Sequence, residues 1–348
     1  FYFNSCRCCL KIKYFDKGLY CTILPLFQMD FVKNTIGKEL DTFEKKFADS
    51  VRSKTATLDR IMKYIIKRKG KQLRPMFVFL SAKLHGEVNE STYRAAALVE
   101  LLHTATLVHD DVVDESFERR GFFSINAIWK NKIAVLVGDY LLSKGLLLST
   151  SNEDFMHLHI LSEAVKQMSE GELLQIEKSR KLNLDEDIYF EIIRNKTASL
   201  LSSACAVGAY STGKNEAATE KMKLFGQKVG IAFQIKDDLF DYGKEDVGKP
   251  TGNDIREKKL TLPLIYTLNK VDKNTRRNMI FMLKNENKNK ESIKFIIETV
   301  IKAGGIAYAE TKMNSYRDEA LDILYTFDES PVRAALEELV RFTTDRKY

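Results

Sequence analysis

Apolar residues recur every three or four positions along most of the chain, which is the spacing of amphipathic α-helices. Alternating apolar and polar positions, the pattern of a half-buried strand, are nearly absent. No proline occurs between Pro75 and Pro250 to interrupt a helix. The pattern therefore predicts consecutive long helices joined by turns rich in Gly, Asn, Ser, Asp or Pro. The predicted helices cover residues 30–69, 75–85, 91–115, 124–150, 153–178, 185–211, 215–242, 260–270 and 290–326.

The breaks between these helices do not mark a boundary between two domains. Of the 348 residues, 44% are hydrophobic, which is enough for a large buried core. We therefore expect residues 29–348 to form one all-α domain. Met29 precedes the first amphipathic pattern, and residues 1–28 hold four of the five cysteines. We interpret residues 1–28 as a non-native or disordered extension.

Charge and cysteine content narrow the classes of function. The formal net charge of +7 is small for this length, and the basic residues are interspersed with acids, so we expect no nucleic-acid partner. Cys205 is the one cysteine after residue 28, which excludes a disulfide framework there and is typical of a cytoplasmic protein. The apolar stretch IAVLVGDYLLSKGLLL is interrupted by Asp139 and Lys144, so we expect no transmembrane segment.

An acidic motif ends the apolar segment LLHTATLVHDDVVDESFERRG, residues 101–121. On a helix, residues four apart lie on the same face. A single stripe therefore carries His103, Thr106, Asp110 and Asp114, whereas Asp111 points to the side. This helix is predicted to present a pair of carboxylates.

The same acidic spacing recurs in FQIKDDLFD, residues 233–241. Gln234, Asp237 and Asp241 lie on one side of the predicted helix, and Asp238 is again off the axis of the stripe. For either motif alone, a solvated acidic face or internal salt bridges explain the carboxylates as well as a cation site does. Two copies favour a cation site, because like charges four residues apart destabilise a helix unless positive charge compensates them. Carboxylates without nearby cysteine suit Mg²⁺, which is typically bound by one or two carboxylates and substrate phosphates.

Basic residues stand in turns or beside glycines near these motifs, and Lys196 is expected in the middle of a helix. Arginine binds phosphate oxygens in bidentate fashion, and lysine acts as a point charge. Each residue alone is explained by a surface charge, but their joint placement indicates a phosphate-containing substrate. The candidates are Lys71 and Arg74 in GKQLRP, Arg119 and Arg120 after the first motif, Lys196 with Thr197, and Lys249 and Lys259 around GKPTGND.

With these motifs in order, the chain resembles the trans-type polyprenyl diphosphate synthases, which elongate isoprenoid chains head to tail. The matching segments are GKQLRP, LLHTATLVHDDVVDESFERRG, VLVGDYLLSK, KTASL, FQIKDDLFDYGKEDVGKPTGNDIREKKLTLPLIY and ALDILYTFDESPVRAALEELVRF. One departure is RRGFFSIN, where the family usually has Lys-Pro or a similar pair after the glycine. The resemblance implies long antiparallel helices around a central cavity, usually in a homodimer.

The resemblance also implies roles for individual residues. Asp110 and Asp114 would hold two Mg²⁺ ions on the allylic diphosphate, and Asp237 would hold a third. Supporting negative charge beside the metals would come from Asp111, Asp238 and Asp241. The residues expected to contact the allylic diphosphate are Arg119, Lys196, Thr197, Gln234, Lys249 and Lys259, with Lys196 and Arg119 also acting in catalysis. Those expected to contact isopentenyl diphosphate are Lys71, Arg74, His103 and Arg120.

Product length should depend on the residues that precede Asp110 on its helix. Ala105 and Thr106 are small, where short-chain members of the family commonly carry aromatic residues. A tunnel open toward Val99 and Leu102 predicts a medium or long product near octaprenyl, as used for quinone side chains. The alternative is that Met168 on a facing helix sets a nearer floor.

Three other functions stay open at this point. A class I terpene cyclase shares the first acidic motif, although its second metal site usually contains Asn, Ser or Thr with Glu. A synthase of farnesyl or geranylgeranyl diphosphate would share both motifs and make a shorter product. A non-catalytic subunit of a heteromeric synthase usually lacks one motif.

An apolar product also bears on membrane contact. We expect at most a peripheral contact of the enzyme with a membrane, during product release.

Overall fold

The protein is almost entirely helical in its computed structural model, which confirms the predicted all-α class. The structure describes residues 29–67, 70–119, 121–181, 185–243 and 252–346. The first helices are α1 (Met29–Ser50), α2 (Ala56–Lys67), α3 (Leu73–His85), α4 (Glu90–Val113), α5 (Ile125–Thr150), α6 (Phe155–Lys181) and α7 (Glu186–Ile193). A π-helical turn (Arg194–Ala198) joins α7 to α8 (Ser199–Gly213). The later helices are α9 (Glu216–Phe240), α10 (Asn253–Arg256), α11 (Leu262–Lys270), α12 (Lys273–Asn285), α13 (Lys290–Ala303), α14 (Gly305–Leu324) and α15 (Pro331–Asp345).

Local capping explains where several helices begin. At α4, the side chain of Asn89 accepts a hydrogen bond from the backbone N–H of Thr92, and the Thr92 hydroxyl accepts one from the N–H of Asn89. This reciprocal pair satisfies two donors that a helix start leaves unpaired. At α15, Ser330 caps the first turn and Pro331 occupies the first helical position. Proline is suited to that position because no helical hydrogen bond is lost there.

Helix α8 lies at the centre of the molecule. Almost all of its residues are buried, and it packs against α3, α4, α6 and α9. A helix that is apolar on every side must be enclosed by other elements, as α8 is by these four helices. Because α4 and α9 both pack on α8, the two helices that carry the acidic motifs are held by the same central element.

The predicted helix over residues 30–69 is wrong in one respect, because residues 51–55 separate α1 from α2. The predicted segment 290–326 likewise divides, at Gly304, which has a left-handed φ of 82° that glycine adopts without strain. Helices α10, α12 and α15 were not among the predicted segments. Residues 1–28, interpreted from sequence as an extension, lie outside the described residues.

A short hairpin follows the first acidic motif. Strand β1 (Glu118–Arg119) pairs antiparallel with β2 (Phe122–Phe123), in the register Glu118 opposite Phe123. The turn contains Gly121 at φ 75°, a left-handed conformation that suits glycine. The sequence pattern did not predict these strands, because two residues are too few to show alternation.

Helix α5 is the most apolar long helix of the described chain. By length and composition alone it is sufficient to cross a membrane, although a third of its most apolar stretch is buried inside the molecule. One side, including Ala134, Val137 and Leu141, is buried in a cluster with residues of α4. Much of the other side is exposed apolar surface.

Candidate active site

Both acidic motifs occupy the last turn of a helix. Asp110 lies in the last turn of α4, and Asp114 is the residue that ends it. Asp237 lies in the last turn of α9, and Asp241 ends that helix. The C-terminal end of a helix carries partial negative charge from unpaired carbonyl groups. Each carboxylate pair therefore adds to an already negative helix end, which increases the demand for cations.

The aspartates of the first motif separate into two groups by burial. Asp114 is exposed and Asp110 is half-buried, whereas Asp111 is only 4% exposed. The backbone carbonyl of Asp111 accepts a hydrogen bond of 2.9 Å from Asn126 Nδ2 on α5. Asp110 and Asp114 are thus the members of the motif that solvent or a ligand can reach.

In the second motif, Asp238 and Asp241 bind protein groups. Asp238 accepts hydrogen bonds from Tyr189 and Gln234, and burial, followed by repulsion from Asp254, raises its pKa to about 8. Both carboxylate oxygens of Asp241 accept backbone N–H groups, from Asn253 at 2.7 Å and Asp254 at 3.1 Å. Asp241 therefore fixes the start of α10, although burial raises its pKa as well.

Lys259 connects the two motifs. Its ammonium lies 2.5 Å from Glu257 and 3.9 Å from Asp254. Burial lowers its pKa, but attraction to Glu257, Asp254 and Asp114 outweighs this effect, so the pKa stands above its ordinary value. Asp254 in turn acts on Asp238. The ends of α4 and α9, which carry the two acidic motifs, are therefore both within electrostatic reach of Lys259.

A second group of cations lies between α3, α4 and α15. Arg74 Nη1 lies 2.9 Å from His103 Nε2 on α4. The ammonium of Lys71 stands 4.8 Å from the centre of the Phe342 ring; burial, and then repulsion from Arg346, lowers its pKa. Arg346 forms an ion pair with Asp237. These contacts bring the predicted isopentenyl diphosphate residues Lys71, Arg74 and His103 to the side of the site that borders Asp237.

The π-helical turn places Lys196 and Thr197 in the same region. Lys196 forms an ion pair with Glu172 and lies 3.4 Å from Gln175 Oε1, both on α6. The hydroxyl of Thr197 donates a 2.8 Å hydrogen bond to Gln234 Oε1 on α9. The wider π turn displaces these side chains from a regular helix, as is frequent at functional sites.

Two glycines let neighbouring helices approach the π turn. A Cβ on Gly171 of α6 would lie 2.8 Å from the backbone nitrogen of Lys196 and 2.9 Å from Cβ of Asn195. A Cβ on Gly230 of α9 would lie 2.6 Å from Cα of Ala198. The turn is therefore held between two helices at points where no side chain fits.

Three predicted contacts cannot be placed in full. Arg119 belongs to β1, but its side chain is not described, and Arg120 and Lys249 lie outside the described residues.

The two residues predicted to control product length both lie on α4. Ala105 is buried and Thr106 is half-buried, with the Thr106 hydroxyl donating to the carbonyl of His103.

Sequence reasoning missed three residues of the site: Glu172, Asp254 and Arg346. Glu172 contacts Lys196, Asp254 lies beside Lys259, and Arg346 contacts Asp237. Glu172 and Arg346 can be recognised in the sequence as charged residues, but the sequence does not show which residue each of them contacts. All three become visible only when distant helices meet.

The donor set fits a hard divalent cation completed by a phosphate ligand. Within the described residues, no three His, Cys, Asp or Glu side chains lie close enough together to hold a metal ion. Asp110, Asp114 and Asp237 offer oxygen ligands singly or in pairs. Mg²⁺ is commonly bound in this manner, with substrate phosphates filling the remaining positions.

Comparison with known proteins agrees with this geometry. The family model described as polyprenyl synthetase matches residues 32–300. The chain is 34% identical, over 89% of its length and 96% of the relative, to all-trans-nonaprenyl-diphosphate synthase (geranyl-diphosphate specific) of Rhodobacter capsulatus. It is 33% identical, over 90% of its length and 89% of the relative, to heptaprenyl diphosphate synthase component 2 of Bacillus subtilis. A solved structure of polyprenyl synthase from Caulobacter crescentus, complexed with calcium and isoprenyl diphosphate, has a TM-score of 0.85 at 33% identity and covers 92% of this chain and 98% of its own.

The fold and site thus define a trans-prenyltransferase. The chain belongs to the polyprenyl synthetase family and is a trans-polyprenyl diphosphate synthase. Relatives of 31% and 32% identity are named for octaprenyl and geranylgeranyl products, so similarity alone does not fix the product length.

Proposed function

We propose that this enzyme condenses isopentenyl diphosphate with an allylic diphosphate, such as farnesyl diphosphate, to make an all-trans polyprenyl diphosphate near octaprenyl for quinone side chains. The observation that carries the proposal is the position of Lys259 within electrostatic reach of both acidic helix ends, on the α4 side of which the residues at 105 and 106 are small. Such a site matches a substrate with a charged head and an apolar tail.

In this proposal, the two groups of cations bind different substrates. Lys196, Thr197, Gln234 and Lys259 contact the allylic diphosphate, and Lys71, Arg74 and His103 contact isopentenyl diphosphate. Asp110, Asp114 and Asp237 hold Mg²⁺, three ions when substrate is present. When bound, Mg²⁺ supplies positive charge that stabilises the departing diphosphate.

The cationic side chains also stabilise the negative charge of the departing diphosphate. At an effective dielectric constant near 20, two unit charges about 4 Å apart interact by roughly 4 kcal/mol. Lysines fixed by their neighbours, as Lys196 is by Glu172, are already oriented before negative charge develops on the leaving group. Diphosphate leaves the allylic carbon with the electrons of the broken C–O bond, and the isopentenyl double bond attacks the resulting allylic cation. A proton is then lost to the released diphosphate.

The proposed product length depends on the α4 residues that precede Asp110. Ala105 is fully buried, and Leu102 and Val99 follow it into the main apolar cluster. Met168 of α6 packs against the same cluster, so it remains the competing floor. Small residues at 105 and 106 support a path along α4 for a growing chain.

The proposed assembly is a homodimer formed by α5. Val135, Leu136, Leu146 and Leu147 are between 42% and 63% exposed on this helix. Several exposed large apolar side chains on one helix are typical of a surface that another protein covers. A two-fold contact between copies of α5 would cover it.

The test is an elongation assay with the purified chain. Labelled isopentenyl diphosphate, Mg²⁺ and starters from dimethylallyl to geranylgeranyl diphosphate should give products that group near octaprenyl. Products that stop at geranylgeranyl would contradict the proposed length. Hydrocarbon released from farnesyl diphosphate alone would indicate a cyclase, and activity only after addition of a second polypeptide would indicate a heteromeric enzyme.

A further inference from the structure

A line of hydrogen bonds runs from the interior of the molecule to Thr197. The hydroxyl of Tyr189 on α7 donates to Oδ2 of Asp238 at 2.8 Å. Nε2 of Gln234 donates to the other oxygen of Asp238 at 2.9 Å, and Thr197 donates to Oε1 of Gln234 at 2.8 Å. Four side chains from α7, α9 and the π turn thus form one continuous series.

The series determines how the amide of Gln234 is oriented. Its NH₂ group faces the carboxylate of Asp238, and its oxygen must therefore face Thr197. The hydroxyl of Thr197 donates its hydrogen to Gln234, so the lone pairs of that hydroxyl point in fixed directions. The second amide hydrogen of Gln234 is fixed in the same way. A change at Asp238 would release both groups.

Tyr189 donates to the carboxylate oxygen of Asp238 that Gln234 does not contact. Tyr189 is 4% exposed and packs edge to face on Phe190, with ring centres 5.3 Å apart. It is surrounded by the apolar cluster that includes Ile231 and Ile235. A side chain in this position does not reach a substrate, but it supplies one of the two donors that Asp238 receives from Tyr189 and Gln234.

We propose that Tyr189 is a positioning residue for the allylic diphosphate and acts through Asp238 to orient Gln234 and Thr197. The inference rests on the proposed function, in which Gln234 and Thr197 contact that diphosphate. Removal of the Tyr189 hydroxyl leaves the buried carboxyl group of Asp238 with one hydrogen-bond partner fewer in an apolar environment, where an unsatisfied polar group is costly.

The test variant is Tyr189→Phe. We expect the KM for the allylic diphosphate to rise by about tenfold, the size of effect that leaving a buried polar group unsatisfied produces. The KM for isopentenyl diphosphate should stay unchanged. The Kd of non-hydrolysable farnesyl thiodiphosphate in the presence of Mg²⁺, measured by calorimetry, should rise by the same factor without any turnover.

Tyr308→Phe is the matched control. Tyr308 donates to Glu186 at 2.7 Å and packs against the same apolar cluster, so the variant also removes a bond between a phenol and a carboxylate. Its contact with Glu186 does not lead to Gln234. Tyr308→Phe should leave both KM values unchanged, and an equal rise in both variants would overturn the inference.

A double-mutant cycle separates positioning from a general loss of stability. In a Gln234→Ala background, Tyr189→Phe should add little to the KM for the allylic diphosphate, because the link is already broken. If the effects of Tyr189→Phe and Gln234→Ala on this KM were additive, the positioning role of Tyr189 would be contradicted. No effect of Tyr189→Phe on either the KM or the Kd would contradict it as well. If Tyr189→Phe does not fold, Asp238→Asn tests the same link, and an unchanged Kd for the thiodiphosphate would be equally decisive. A wild-type enzyme that fails to elongate would instead reject the proposed function.

Discussion

At the scale of single residues, Asp110 combines accessibility with an unfavourable charge environment. It is half-buried, four residues from Asp114, at the negative end of α4. We expect Asp110→Asn to lower kcat by about a hundred- to a thousandfold, because a proposed metal ligand is lost with little change in shape. Steady-state assays over a range of Mg²⁺ concentrations would measure this loss.

Asp322→Asn is the control for that variant, since Asp322 is exposed on α14 and outside the site. It should retain the wild-type rate. A normal rate for Asp110→Asn at all Mg²⁺ concentrations would show that the carboxylate does not bind the metal.

Thr106 offers a separate test of product length. Because Thr106 is half-buried, four residues before Asp110, a phenylalanine there would extend into the proposed path of the chain. We expect Thr106→Phe to shorten the product, as measured by chromatographic sizing. Thr106→Val, which is similar in volume to threonine, should preserve the length. An unchanged length in Thr106→Phe would instead favour a floor at Met168.

At this scale, sequence alone predicts the residues whose chemistry repeats along the chain. The aspartate spacing indicated the two carboxylate pairs, because a helical period fixes which residues share a face. It did not reveal Tyr189, Glu172 or Arg346. Each of these acquires its function from a partner on another helix, and local periodicity carries no information about such partners.

At the scale of elements, the π turn depends on Gly171. A methyl group there would meet the backbone of Lys196 at 2.8 Å, which a backbone atom cannot easily avoid. We expect Gly171→Ala to lower the free energy of unfolding by about 1–3 kcal/mol, as overpacking does. The KM for the allylic diphosphate should rise as well, because Lys196 and Thr197 shift. Urea denaturation and steady-state kinetics would measure the two effects.

Gly37→Ala provides the control, since no other group lies within 4 Å of a Cβ built at that position of α1. In a helix, such a change is neutral or stabilising. Equal stability and equal KM values in the two variants would contradict the assigned packing of the π turn.

The helix pattern predicted most elements but not their interruptions. Helix α12, KNTRRNMIFMLKN, was missed because its apolar face is narrow: Met279 and Leu283 are its two buried residues. The π turn was missed because one extra residue in a turn does not change the composition of the segment. Both features are decided by tertiary packing rather than by local preference.

At the scale of the whole molecule, the exposed side of α5 predicts self-association. Leu136 is 63% exposed within this apolar surface. We expect light scattering to give the mass of a dimer for the wild type, and Leu136→Glu to weaken the dimer by about a hundredfold, because a buried unpaired charge costs several kcal/mol. Phe281→Glu is the control on α12, where Phe281 is 54% exposed and remote from α5 in sequence. A monomeric wild type would reject the proposed interface.

The contact between Arg346 and Asp237 has a practical consequence for producing the protein. Arg346 follows α15, and its guanidinium pairs with a proposed metal ligand. Shortened versions of the chain made for crystallisation should therefore retain residue 346, because its removal would take this positive charge away from Asp237.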